Sequence, residues 1–308
     1  MQLPNRKIIW AVTKAVLFVL LVWFLVNTLF LKNDFKEQGA AFSKQLSESN
    51  AWLLCFLLLL MPVNWLLETF KWKVLLKEEK LSFADLLKGV LAGVTFGFAT
   101  PARGGEFIGR VMYAGRENGT KVFYLSAIGG IAQTTVTLVC GVFCLSFLGN
   151  SFLQGVALGV SVAFLFFYFR FDVLNRLLLA AQSCFPYKIT VPNNVLPSIE
   201  RQSLVLLLSF FRYGVYLVQY VLAFMFMGVS DDLLLLTTHN GMLLLVQSFS
   251  PFLPVFDAGF RGSAALYVFK DFNSNSVAVL SATLLVWFIN LVLPALAGYV
   301  FIVRKKAT

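Results

Sequence analysis

Residues 89–116 read GVLAGVTFGFATPARGGEFIGRVMYAGR. An apolar run carrying Gly89, Gly93 and Gly97 meets Pro101, and Arg103, Gly104, Gly105, Glu106 and Arg110 follow at once. Proline removes a backbone donor and paired glycines loosen the chain, so the spacing predicts a broken helix. Charged groups beside a break are costly in an apolar chain unless they line protein-buried or watery space. Two readings are open: a short loop leaving a membrane helix, or a binding element inside the membrane, as in the broken helices of transporters.

Composition sets the class. Of the 308 residues 59% are hydrophobic and only 13% charged, and the mean hydropathy is +0.80. Soluble domains carry about 25% charged residues, so the chain reads as an all-α polytopic membrane protein. Its formal charge of +10 is not a nucleic-acid signal. The lysines and arginines cluster at the ends of apolar runs, where they set orientation and meet anionic headgroups. Cys55, Cys140, Cys144 and Cys184 have no His or carboxylate beside them, so neither a metal site nor a disulfide framework is expected.

Outward from the break, the apolar runs predict six full spans and two re-entrant hairpins. A retained first span covers 15–31, with Arg6, Lys7 and Lys14 on the inside. The charges of 32–50 nearly cancel, which suits an external segment. The second span runs from Ala51 to Phe70, with Lys71, Trp72 and Lys73 at the interface and Glu68 in a rim pair. The first hairpin occupies Leu81 to Lys121; its return limb is too short to cross, since crossing takes about 20 apolar residues. The third span, Val122 to Leu148, is rich in small residues that let helices approach closely. Gln133 within it reads as packing glue. The fourth span is Phe152 to Phe169, and the proline-rich segment 170–202 links the halves.

Ser203 to Met227 is the fifth span. Arg212 lies eleven residues past Arg201, hence about 16 Å deeper and near the middle of the hydrocarbon. A mid-membrane Arg faces protein or water and seeks a carboxylate or a phosphate. Glu106 and Asp257 are its expected partners by motif, with Glu68 ranked behind them because it lies near the interface. Leu233 to Lys270 repeats the first hairpin, with Pro251, Pro254, Asp257, Gly259 and Arg261 at its break, and the last span is Val277 to Val303.

The first half, 1–150, thus carries a hairpin entering from the cytoplasmic side. The second, 151–308, carries one entering from outside. That is the logic of an inverted repeat with a site at the midplane. The candidate substrate-binding residues are Pro101, Arg103, Gly105, Glu106, Arg110, Arg212, Asp257, Gly259 and Arg261. Arginines exceed acids, and a phosphate suits their forked donors. The 33 phenylalanines line an acyl path or simply face lipid.

ATPARGGEFIGR, with Pro101, Arg103, Gly105, Glu106 and Arg110, resembles the signature of the lysylphosphatidylglycerol synthase transmembrane-region family. PFLPVFDAGFRG, with Pro254, Gly259 and Arg261, is similar to its second motif. Gln133 and Gly262-Ser263 depart from the charged residues that the family often carries there. The resemblance implies a flippase-like protein of a bacterial cytoplasmic (inner) membrane, multi-pass, with both termini cytoplasmic, and no stretch here is suited to the synthase domain. The expected function is movement of an anionic phospholipid or lipid-linked molecule between leaflets. The alternatives are an intramembrane lipid-headgroup enzyme, with Glu106 or Asp257 as base, and a partner subunit of a separate synthase or glycosyltransferase. No nucleotide loop is present, no cofactor is expected, no catalytic residue is assigned, and an enzyme is not the first reading. The partners expected are a membrane lipid and no nucleic acid; a homo-oligomer is also allowed.

Overall fold

A computed structural model describes residues 43, 51–77, 79–98, 100, 103–148, 151–170, 173, 196–249, 254–270 and 276–305. The expected first span, the polar segment after it, Pro101 and most of the proline-rich linker lie outside these residues. Among the described residues the fold is helical, with no strand.

Among the described residues, four helices are long and apolar enough to cross a membrane. They are α1 (Ala51–Leu75), α4 (Gly119–Leu145), α6 (Ile199–Phe226) and the composite Ser276–Arg304. The composite comprises α9 (Ser276–Trp287), a π-turn at Phe288–Val292 and α10 (Leu293–Arg304). At 1.5 Å per residue, the 25 residues of α1 reach about 37 Å, more than the hydrocarbon thickness of about 30 Å. Shorter helices lie between: α2 (Phe83–Phe98), α3 (Glu106–Ala114), α5 (Ser151–Phe169), α7 (Leu233–Gln247) and α8 (Pro254–Val268). Phe143, Phe147, Phe152, Phe210 and Phe211 are exposed. Water would penalise such an outer surface, whereas lipid tails accept it.

The broken-helix expectation for 81–121 holds in its local geometry. α2 and α3 run antiparallel in backbone contact: Gly97 faces Arg103 and Glu106, and Gly89 faces Arg110 and Tyr113. A Cβ on Gly93 would stand 2.5 Å from the Glu106 carbonyl oxygen, and one on Gly109 would strike the Gly93 backbone. Glycine at both positions is therefore what lets the limbs close. At the turn Arg103 adopts φ 58°, a left-handed conformation unusual for a side-chain-bearing residue. The Gly105 N–H donates to Thr100 Oγ1 at 2.7 Å.

α1 ends five residues later than expected. Lys71 and Trp72 do not mark the interface; both are buried, Lys71 at 1% exposure. Asn64, Glu68 and Lys71 stand at i, i+4 and i+7, one face of a helix, and that face turns into the protein. The chain therefore has no reason to leave the helix at Phe70.

α1 packs antiparallel against α6, with Leu57 opposite Gln219 and Glu68 opposite Arg212. Two apolar clusters sit at the two ends of this pair. One joins Trp65, Trp72 and Leu75 of α1 to Val205 of α6 and to Val90, Val94 and Phe98 of α2. The other joins Leu53 and Leu57 to Phe224 and Phe226, and to Leu243 of α7 and Ala265 of α8. The first hairpin thus packs at one end of the pair and most of α7–α8 at the other, with Ala258 of α8 reaching the first cluster. Between the ends, Asn290 in the π-turn donates to Gln219 Oε1 at 3.0 Å and accepts from Asn64 Nδ2 at 3.0 Å. Pro294 lacks an N–H, and the Leu293 N–H bonds Phe288 across the wider turn, so the helix continues through the interruption that Asn290 and Pro294 led us to expect.

Candidate functional site

Glu68 is the hub. Its Oε1 accepts from Arg110 Nη2 at 3.0 Å, and its Oε2 accepts from Arg212 Nη1 at 2.7 Å. Lys71 Nζ lies 3.1 Å from the same Oε2 and donates to the Gly129 carbonyl of α4 at 3.2 Å. Arg110 Nη2 also donates to Glu106 Oε2 at 2.8 Å, and Glu106 Oε1 pairs with Arg103 Nε at 2.6 Å. Arg212 Nε donates to Asn64 Oδ1 at 2.7 Å. The chain of contacts therefore runs from the turn of the first hairpin, through α1 and α6, to the π-turn of the last span.

Aromatic faces support the guanidinium groups. Arg110 sits over Trp72 at 4.5 Å and Arg212 over Trp65 at 5.3 Å. Stacking holds a guanidinium flat without using its N–H donors, which leaves its edge for anions. A second, smaller group lies on α7 and α8. Arg261 Nε donates to Asp257 Oδ2 at 2.6 Å, and its Nη1 donates to Gln247 Oε1 at 2.7 Å. Tyr220 of α6 donates to the same Gln247 oxygen at 2.7 Å.

Both groups border one open cavity of about 510 Å³. Lys71, Arg103, Arg110, Arg212 and Arg261 line it, against only Glu68 and Glu106 among carboxylates. The wall of α4 supplies small residues, Ser126, Ala127, Gly129, Gly130 and Thr134, together with Gln133. Phe107 and Phe123 complete one side, edge to face at 5.4 Å, and Phe123 also reaches the exposed apolar surface. Three polar atoms buried in its lining residues lack a hydrogen-bond partner: Arg110 Nε, Gln133 Oε1 and Gln247 Nε2. Buried polar atoms are ordinarily bonded, so these two donors and one acceptor stand unsatisfied in the residues that form the cavity wall.

The structure brings together Arg103, Glu106, Arg110, Arg212 and Arg261 from the expected set. It corrects four other expectations. Arg212 does not pair with Glu106 or Asp257: Glu68 and Asn64 hold it, and Asp257 is taken by Arg261. Glu68 is not a rim residue, being 5% exposed. Gly105 faces α2, where a Cβ would meet the Phe96 carbonyl at 2.7 Å, so it closes the hairpin and does not line the cavity. Gly259 is exposed with open space around it, and Asp257 stands behind Arg261. Pro101 lies outside the described residues. Glu68, Lys71, Asn64 and Gln247 were missed. The signal for the first three was their spacing on one helix face; Gln247 carried none. Gln133, read as packing glue, donates to the Ser209 carbonyl at 3.3 Å and also lines the cavity.

A comparison with curated proteins finds no match. The family comparison agrees with the motif at 101–110 and with the apolar helices around this cavity. The chain belongs to the family described as the lysylphosphatidylglycerol synthase TM region, whose model matches residues 11–298, and is with it a multi-pass membrane protein whose function concerns membrane lipid.

Proposed function

We propose that the protein moves an anionic phospholipid or lipid-linked molecule between the leaflets of a bacterial cytoplasmic membrane. The observation that carries this reading is the cation-rich cavity of about 510 Å³ among apolar helices. Its volume falls in the range of small-molecule sites. Forked arginine donors suit a phosphate, and Phe107 and Phe123 suit the first part of an acyl chain. Lipid meets such a headgroup site from the side, with its tails left in the bilayer.

The accompanying topology is six full spans and two re-entrant hairpins in an inverted repeat, with both termini cytoplasmic. Two features support it. α2 and α3 double back with too few residues in α3 to cross. The two hairpins pack at opposite ends of the α1–α6 pair, as pieces entering from opposite faces do. With no nucleotide loop, movement is facilitated or ion-coupled.

The test is a dithionite-quenching assay in proteoliposomes, with fluorescent phosphatidylglycerol and fluorescent phosphatidylcholine. The reading expects the anionic lipid to cross faster than in protein-free vesicles and faster than the zwitterionic one. A headgroup-modified product would favour an intramembrane enzyme. Neither movement nor product would favour a partner subunit of a separate synthase or glycosyltransferase.

A further inference from the structure

We infer that the preferred headgroup carries two negative charges on phosphate, as a phosphomonoester or as a diphosphate esterified at both ends, in preference to a single phosphodiester charge or an aminoacylated headgroup. This rests on the lipid-transport reading above and sharpens it. The argument begins with charge. The connected cluster contains Lys71, Arg103, Arg110 and Arg212 against Glu68 and Glu106. Among the described residues it therefore holds two positive charges more than it neutralises. Arg261 adds nothing to the surplus, because Asp257 matches it.

Every oxygen of the two carboxylates already meets a cation, and the two charges they bring are already counted. Glu68 uses Oε1 on Arg110 and Oε2 on Arg212 and Lys71. Glu106 uses Oε1 on Arg103 and Oε2 on Arg110. Arg110, only 8% exposed, lines the cavity and still has a buried Nε without a partner. A buried donor of this kind wants an acceptor, and a charged one most of all.

Guests differ in what they leave behind. A phosphodiester headgroup such as phosphatidylglycerol brings one negative charge and leaves one positive charge uncompensated. A lysyl ester of that headgroup, the lipid in the family's name, brings at least one ammonium group with its phosphate and so neutralises none of the surplus. A doubly ionised phosphomonoester, or a diphosphate esterified at both ends, brings the cluster to neutrality. A buried cluster in a low-dielectric surround favours the guest that neutralises it.

The experiment measures lipid binding to the full-length protein in detergent by native mass spectrometry. Phosphatidic acid, an isoprenyl diphosphate sugar, phosphatidylglycerol and lysyl-phosphatidylglycerol are compared. The pH is set at about 8.5, above the second ionisation of a phosphomonoester at about 6. At least one of the two doubly charged lipids is expected to bind about tenfold or more tighter than phosphatidylglycerol, and the tighter of the two identifies the source. Arg103→Gln lowers the surplus by one at a side chain that is a third exposed, so folding is spared. It should cut the advantage to about threefold or less. Phosphatidylglycerol or its lysyl ester binding as tightly as both doubly charged lipids, while wild-type vesicles still scramble anionic lipid, would overturn this inference and leave the transport reading standing. An undiminished advantage in Arg103→Gln would also overturn it. Absence of both binding and scrambling would overturn the transport reading itself.

Discussion

Glu68 holds Arg110, Arg212 and Lys71 at once, and this sharing decides what substitutions there do. Removing the carboxylate leaves three buried cations facing one another. Breaking a buried ion pair from one side costs about 3–5 kcal/mol, so Glu68→Ala should lose at least that much stability. Thermal unfolding of the detergent-purified protein should show a large fall in Tm. Glu106→Ala removes a carboxylate that is 21% exposed, and its Tm should fall far less, since partly exposed pairs contribute about 0–1 kcal/mol. Equal losses for the two variants would contradict the assignment of Glu68 as the hub. Arg212 was legible in the sequence because a lone Arg deep in an apolar run has few places to go. Its partner was not. Glu68 sits at the end of a run, beside lysines, where charges ordinarily mark an interface. Only the i, i+4, i+7 spacing of Asn64, Glu68 and Lys71 records that this end stays inside.

The first hairpin is the element on which the cavity depends, because its turn carries Arg103 and Glu106 and its return limb carries Arg110. It was legible because proline and paired glycines leave few alternatives to a break. What the glycines do individually was less legible, since a sequence does not show which way each faces. Gly93 and Gly109 face backbone, and Gly105 faces the Phe96 carbonyl. Leucine at any of the three should force the limbs apart; overpacking of this kind costs about 1–3 kcal/mol. The expected outcome is a lowered Tm, with transport lost in proportion to folded protein. Gly259→Leu enters open space and should leave Tm unchanged. A normal Tm for Gly105→Leu with selective loss of transport would instead return Gly105 to the cavity wall. The π-turn was half legible: Asn290 and Pro294 promised an interruption, yet the wider turn keeps the helix running and turns Asn290 into the α1–α6 seam.

At the scale of the molecule, the apolar runs carried the helical class and the four spanning helices among the described residues. Length and hydropathy are properties of a segment, so they survive without knowledge of its partners. The cavity is a property of several segments together and could not be drawn from any one of them. The inverted arrangement predicts that the two ends of the α1–α6 pair lie on opposite sides of the membrane. In a background lacking native cysteines, Lys80→Cys should label only from the cytoplasmic side and Asp231→Cys only from outside; labelling of both from one side would contradict it. The central claim, passage of a headgroup through the cavity, has a more direct test in Gly130. This residue lines the cavity, and a Cβ there meets no atom within 4 Å. Gly130→Trp therefore fills the passage without disturbing helix packing. The measurement is the rate of fluorescent anionic lipid movement in vesicles carrying Gly130→Trp beside wild type, at matched Tm and protein content. The account predicts a fall to the protein-free rate, and wild-type movement through a plugged cavity would contradict it.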